Sequence, residues 1–282
     1  MPETDASGPR DASESAGAHR LTWQVADVLD VIAETPRVST LILNVPGWRK
    51  QLPGQYVDVR LTGEDGYQAQ RLYSIASEPE APHLAITVER IDDGEVSPYL
   101  AGELRRGDRF ELRGPIGGYF VWTVDTGGPL FLIGGGSGIV PLMAMLRHRA
   151  AAANAAAAVA AASSAAASAA SAPPAPPIAR LLYSSRSVED IIYREELDRL
   201  AAKQDGLSVI HTLTRRQPPG WTGPARRIDR AMLADAAFSP DEHPHIYICG
   251  PTSLVESAAH LLIDLGHDPV TIKTERFGPT GA

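Results

Sequence analysis

The sequence predicts two domains in tandem: an antiparallel β-barrel over residues 19–125, followed by an α/β domain on a five-stranded parallel sheet over residues 126–282. A change of rhythm along the chain carries the prediction. From Leu21 to about Val124 the chain is a series of short runs rich in β-branched and aromatic residues, punctuated by glycine and proline. Many short strands with one brief helical stretch suit a small barrel. From Pro129 onward, apolar strands alternate with helical patterns, which implies a parallel sheet covered on both faces. A chain of 282 residues can bury a core in each domain.

The barrel strands are read at VSTLILNV from Val38, GQYVDVRL from Gly54, LYSIAS from Leu72, HLAITVERI from His83 and DRFELRG from Asp108, with a helical stretch around Ser97 to Leu104. The sheet strands are PLFLIGG from Pro129, ARLLYSS from Ala179, LSVIHTLT from Leu207, HIYICG from His245 and PVTIKTE from Pro269. Between them lie two helical patterns, VEDIIYREELDRLAAK from Val188 and SLVESAAHLLIDLG from Ser253. Residues 1–18 lack an apolar core and are expected to be a disordered tail. Residues 150–177 form a low-complexity insertion: 17 of the 23 residues from Ala150 to Ala172 are alanine, and prolines follow. Its first part is expected to prolong the preceding helix and its Ser/Pro part to be a mobile loop. The insertion reads as a tolerated surface elaboration, with a partner-docking arm as the alternative.

Composition removes several function classes. The net charge of −8 argues against nucleic acid or an anionic membrane as the main partner. With Cys249 as the single cysteine, the chain can form no internal disulfide and no cysteine-ligated cluster or zinc site. The histidines show no metal-ligand spacing, so no metal site is expected. No apolar run has the character of a secretory signal or a membrane helix, so a cytoplasmic location is expected.

Four short segments carry chemistry. Gly134-Gly135-Gly136-Ser137-Gly138-Ile139-Val140-Pro141 follows a strand and opens a helix. Glycines there admit a close ligand, and a helix amino terminus attracts phosphate. Ile139 stands where the dinucleotide fingerprint needs a third glycine, and no Gly-Lys-Ser/Thr follows, so the segment is neither a Rossmann fingerprint nor a Walker loop. Arg71-Leu72-Tyr73-Ser74 offers an arginine and an aromatic ring on one face of a strand, a pairing that suits a flavin nucleotide. Gly94-Glu95-Val96-Ser97 precedes the helical stretch, with Ser97 as a cap and neighbouring amides for a pyrophosphate. Cys249-Gly250-Pro251 ends a strand at the sheet edge where ligands bind. Each segment also has a plain structural reading: close packing, an exposed arginine on an ordinary strand, capping alone, and a buried cysteine.

In order, RLYS, GEVS, GPIGGYF, GGGSGIVP, CGP and the terminal ERFGPTG resemble the ferredoxin-NADP reductase family of flavoproteins, from Leu21 to Gly281 apart from the insertion. The resemblance implies a barrel that binds FAD and a carboxy-terminal domain that binds NADPH or NADH. It puts Tyr73 against the flavin ring, Arg71 on the FAD pyrophosphate within Arg71 to Ser74, and Ser74 at the hydride-accepting nitrogen. Gly94, Glu95, Val96 and Ser97 fall at the FAD phosphates, and Val88, Glu89 and Arg90 at the sugar and adenine side. Gly135, Gly136, Ser137 and Gly138 fall at the NAD(P)H pyrophosphate; Cys249, Gly250 and Pro251 border the nicotinamide; Glu275 and Phe277 lie in the segment that returns to the flavin. Ser74, Cys249 and Glu275 are thus the residues implied at the reacting centre. Val140 departs from the Thr or Ala common in the family, which touches one side-chain contact. Thr214-Arg215 occupies the place of a Ser-Arg pair in NADPH-using relatives, with Arg186 and Arg216 adding charge; solvated surface arginines are the alternative.

The implied function is hydride transfer from NADPH, or NADH, to FAD, followed by electron delivery to an external acceptor such as a ferredoxin, a Rieske-type component or a haem monooxygenase component. A free flavin or quinone reductase is the alternative within the class. A redox-sensing, non-catalytic nucleotide-binding subunit is the alternative outside it.

Overall fold

The computed structural model describes residues 21–165 and 176–278. The expected tail, residues 166–175 of the insertion and the last four residues lie outside the described residues.

The first half is a six-stranded antiparallel sheet of β1 (Gln24–Thr35), β2 (Val38–Asn44), β3 (Tyr56–Thr62), β4 (Gln68–Ser74), β5 (Leu84–Glu89) and β6 (Arg109–Ile116), in the order β4-β3-β6-β1-β2-β5. An antiparallel bridge between Ile75 and Ile86 brings its two edges together, and Leu41, Leu43, Val57, Val59, Ile86 and Leu112 fill the interior. Tyr99–Glu103 is a short π-helical turn. Ser97 does not cap it: the Ser97 hydroxyl accepts a hydrogen bond from the Ile91 amide at 3.1 Å, and the turn has no side-chain cap. The turn over Ile91–Gly94 takes the hydroxyl instead.

The second half is a five-stranded parallel sheet of β7 (Leu130–Gly135), β8 (Ala179–Ser185), β9 (Leu207–Leu213), β10 (His245–Pro251) and β11 (Ile272–Phe277), in the order β11-β10-β7-β8-β9. Helices α1 (Ile139–Ala165), α2 (Arg194–Ala202), α3 (Arg230–Ala236) and α4 (Thr252–Asp264) cover its faces. Alternate residues of β7 point to opposite faces, so Phe131 and Ile133 pack on α3 and α4 while Leu130 and Leu132 pack on α1 and α2. Burial on both sides is why these strands read as unbroken apolar runs. The α1 face also receives Val38, Ala76, Ala85, Phe120 and Trp122, so one core joins the barrel to the sheet.

Three elements differ from the sequence expectation. β1 is the longest strand and pairs with both β2 and β6, yet it was not among the expected runs. The helix expected from Val188 breaks after a 3-10 turn at Val188–Asp190 and restarts at Arg194, because Tyr193 sits in the left-handed region at φ 59°. That conformation sinks the Tyr193 ring into the domain interface, where its hydroxyl meets Thr87. α3 has no counterpart in the expectation; Asp229 caps it by accepting the Met232 amide at 2.8 Å. α1 continues through the alanines to Ala165, buried up to Ala150 and largely exposed beyond Asn154 among residues with described side chains.

Candidate functional site

The barrel and the carboxyl ends of the parallel strands enclose a cleft of about 800 Å³. Leu72, Tyr73, Ser74 and Glu89 line it from the barrel, and Gly135, Gly136, Ser137, Arg186, Thr214, Arg215 and Pro251 from the sheet. Phe277 lines it at the end of β11. Two sets of residues far apart in the chain therefore share one space, at the strand ends where open α/β sheets bind ligands.

On the sheet side, β7 ends at Gly135, a 3-10 turn spans Gly136–Gly138, and α1 begins at Ile139. Gly136 has φ +55°, a left-handed turn that glycine adopts without strain. Gly138 is buried for another reason: a Cβ there would collide with the carbonyl of Cys249. The same glycine loop thus packs on β10 through Gly138 and faces the cleft through Gly136 and Ser137. The Ser137 hydroxyl reaches across the domain boundary and donates to the Glu89 carboxylate at 2.7 Å.

On the barrel side, β4 pairs with β3, setting Tyr73 opposite Val57 and Ser74 opposite Tyr56. Tyr73 packs partly on the barrel core, and burial pushes its hydroxyl pKa up to about 12, so the phenol is neutral at physiological pH. Arg71 is not part of the cleft wall. It pairs with Glu95 at 2.6 Å, and Glu95 also accepts from the Tyr67 hydroxyl at 2.7 Å. Those two bonds, Tyr67 first, hold the Glu95 carboxyl below the usual range. The pair ties RLYS to GEVS but leaves Gly94, Glu95, Val96 and Ser97 outside the wall. Val88 and Val96 are fully buried in the barrel core, so their side chains face no ligand. Arg90 sits at the exposed rim, 3.2 Å from Asp92.

Cys249, Gly250 and Glu275 stand behind the wall. Cys249 and Glu275 are register partners on β10 and β11. Burial raises the Glu275 carboxyl to about 7, and burial together with the Glu275 charge pushes the Cys249 thiol well up.

The sheet wall is cationic. Among the described residues, the guanidinium groups of Arg186 and Arg215 make no ion pair, whereas Arg216 is held by Glu189 at 2.9 Å on the surface. Arg227 also lines the cleft, with Ser253 and Ser257 of α4 beside it. Sequence reasoning missed Arg227 and also Thr87, Arg37 and Asp190 on the wall. The ARRID segment could have drawn attention to Arg227, but of its two adjacent arginines only Arg226 is engaged, by Asp229. Among the described residues no cluster of His, Cys, Asp or Glu could hold a metal ion, and no helix is long and apolar enough to cross a membrane.

The oxidoreductase FAD-binding domain family matches residues 29–121, and the oxidoreductase NAD-binding domain family matches residues 132–260. The chain belongs to the ferredoxin-NADP reductase-like flavoproteins. By family its first domain is an FAD-binding and its second an NAD-binding oxidoreductase domain. It is 32% identical over 232 residues to the glycine betaine monooxygenase reductase subunit of Pseudomonas aeruginosa, spanning 81% of this chain and 56% of that protein. It is 27% identical over 264 residues to the ferredoxin reductase component of 3-ketosteroid-9-alpha-monooxygenase from Mycobacterium tuberculosis, spanning 89% of this chain and 64% of that protein. The chain thus covers less than two thirds of these relatives. Its fold matches the flavohem-like FAD/NAD-binding domain of nitric oxide dioxygenase from Vibrio cholerae with a TM-score of 0.73 at 23% identity, over 91% of this chain and 99% of that one. A ferredoxin NADP+ reductase from Neisseria gonorrhoeae with bound FAD and NADP gives a TM-score of 0.68 at 19% identity, over 90% and 98% of the two chains.

The residues of this flavoprotein fit both cofactors. A cleft of about 800 Å³ matches the size of nucleotide sites. It offers an aromatic ring and a hydroxyl on one wall, and a glycine turn at a helix amino terminus with unpaired arginines on the other.

Proposed function

We propose that this chain is the reductase member of an electron-transfer pair, taking hydride from NADPH in preference to NADH and passing electrons to a separate oxygenase component or to the ferredoxin that serves one. The observation that carries the reading is that Leu72 to Ser74 from the barrel and Gly135 to Ser137 from the sheet line one cleft. Bound there, FAD supplies the exchange between a two-electron donor and a one-electron acceptor.

The chain's own residues supply binding and orientation. Tyr73 offers a flat, neutral face anchored on the barrel core, and Ser74 a hydroxyl next to it. Arg71, released from Glu95, and the amides of Gly94 to Ser97 hold the FAD diphosphate, while the backbone of Val88 to Arg90 lines its sugar side. Gly135 to Gly138 receive the diphosphate of the dinucleotide, and Arg186, Arg215 and Arg227 its 2′-phosphate. Cys249, Gly250 and Pro251 set the floor for the nicotinamide, and the Glu275 carboxyl, near 7, holds or yields a proton behind it. Phe277 closes the wall. The names of the relatives, reductase components of monooxygenases, support an oxygenase as the acceptor.

The test is reconstitution. The FAD-loaded protein should oxidise NADPH rapidly with ferricyanide, slowly with free flavin or a quinone, and should reduce a purified ferredoxin or Rieske oxygenase component. Fast turnover with free flavin and none with any protein acceptor would replace this reading.

A further inference from the structure

Glu89 lies at the end of β5, with its carboxylate accepting the Ser137 hydroxyl at 2.7 Å. Ser137 stands in the turn between β7 and α1, a helix of 27 residues whose positive end opens on the cleft. Both residues line that cleft, and the bond is partly buried. No lysine or arginine forms an ion pair with Glu89 among the described residues; the one hydrogen bond of its carboxylate there is to Ser137. A negative side chain of the barrel therefore engages the one hydroxyl of the loop that the proposed function assigns to the dinucleotide's diphosphate.

We propose that Glu89 is an internal anion that competes with the NAD(P)H diphosphate for the glycine loop, and so sets how tightly the chain holds its dinucleotide. The inference rests on the coenzyme site assigned above. A diphosphate arriving at Ser137 meets a like charge at hydrogen-bond distance from the same donor. It must displace Glu89 or bind beside it, and both weaken binding. Because the bond spans the two domains, releasing it also frees the barrel edge from the loop, which suits a coenzyme that must enter and leave on every turnover.

Glu89→Gln separates charge from hydrogen bond, since the amide oxygen still accepts from Ser137. On the FAD-loaded protein, titration calorimetry with NADP+ should show tighter binding in Glu89→Gln by about three- to ten-fold, and tighter again in Glu89→Lys. The probe adenosine 2′-monophosphate, which carries the 2′-phosphate but no phosphate at the 5′ position, should bind wild type and variants equally. A merely structural role for Glu89 would give the opposite result, weaker binding of both probes. Unchanged or weaker NADP+ binding in Glu89→Gln overturns the inference, as does equal tightening for both probes. If Glu89→Gln did not fold, the same comparison in Glu89→Lys decides. Failure of wild type and variants to bind NADP+ or NAD+ would instead remove the coenzyme site itself, and this inference with it.

Discussion

Cys249 and Glu275 face each other across adjacent parallel strands, with the thiol sulfur 4.0 Å from Oε2 of the carboxyl. Neither group forms an ion pair among the described residues, so burial dominates both, and each is held toward its protonated form. Two proton-bearing groups thus sit directly behind the wall on which a nicotinamide would rest.

Glu275 makes stability depend on pH in a direction opposite to that of a paired carboxylate. Its folded pKa, about 7, lies above the ordinary value of 4.5, so the folded state holds the proton where the unfolded chain has lost it. Its stabilising contribution is complete below about 4.5 and is lost as pH rises through about 7, an effect on the order of 2 kcal/mol. Urea titrations of wild type and Glu275→Gln at pH 5 and pH 8 should show the wild type losing that much more between the two. Equal losses would mean that Glu275 titrates normally.

Tyr73 has one side on the barrel core and another on the cleft. Tyr73→Ala should therefore lower FAD occupancy after gel filtration, because the ring's stacking area is lost, while Ser74→Ala keeps FAD but slows its reduction by NADPH. Full FAD retention in Tyr73→Ala would take the ring out of the flavin site.

Much of this arrangement is legible in the chain because its cause is local. The sheet strands are buried on both faces, so their apolar runs announce them, and the glycine turn is marked by its own residues. β1 hides because Asp27, Asp30 and Glu34 recur at three- and four-residue spacing, as on a helix, and two register shifts break its alternation. Tyr193 breaks α2 for a reason no local pattern carries: its ring is needed at the interface, beside Arg147 and Thr87. The contact of Ser137 with Glu89 and the place of Arg227 depend likewise on which loop the fold carries to which wall. Motifs mark the halves of the site, and the interface decides how they meet.

That interface has a test of its own. Arg147 of α1 donates to both carboxylate oxygens of Glu196, at 2.9 and 2.7 Å, and to the Ala76 carbonyl of the barrel at 2.7 Å, with Tyr193 beneath its guanidinium. Arg147→Met leaves a partly buried carboxylate and a carbonyl without a donor. The expected loss is roughly 2 to 4 kcal/mol, below the full cost of breaking a buried pair because solvent still reaches the site. Urea denaturation of the FAD-loaded protein measures it. A loss under about 0.5 kcal/mol would class the pair with ordinary surface bridges.

Coenzyme choice turns on the cationic end of the cleft, where Arg186, Arg215 and Arg227 stand with Asp190 as the nearby acid on the wall. NADPH and NADH differ by one phosphate, and a hydrogen bond from arginine to a charged group is worth about 1.5 to 3 kcal/mol. A preference for NADPH of about ten-fold or more in kcat/KM follows. Three arginines outnumber Asp190, whose carboxylate accepts the Ser187 hydroxyl at 2.7 Å. Arg215→Ala and Arg227→Ala should each raise KM for NADPH several-fold and leave NADH nearly unchanged. The double variant should approach equal use of the two coenzymes, since two donors to one phosphate are lost together. An equal response of both coenzymes to Arg215→Ala would place that arginine in solvent. A wild-type protein that favours NADH would reverse the preference while leaving the flavin site and the family intact.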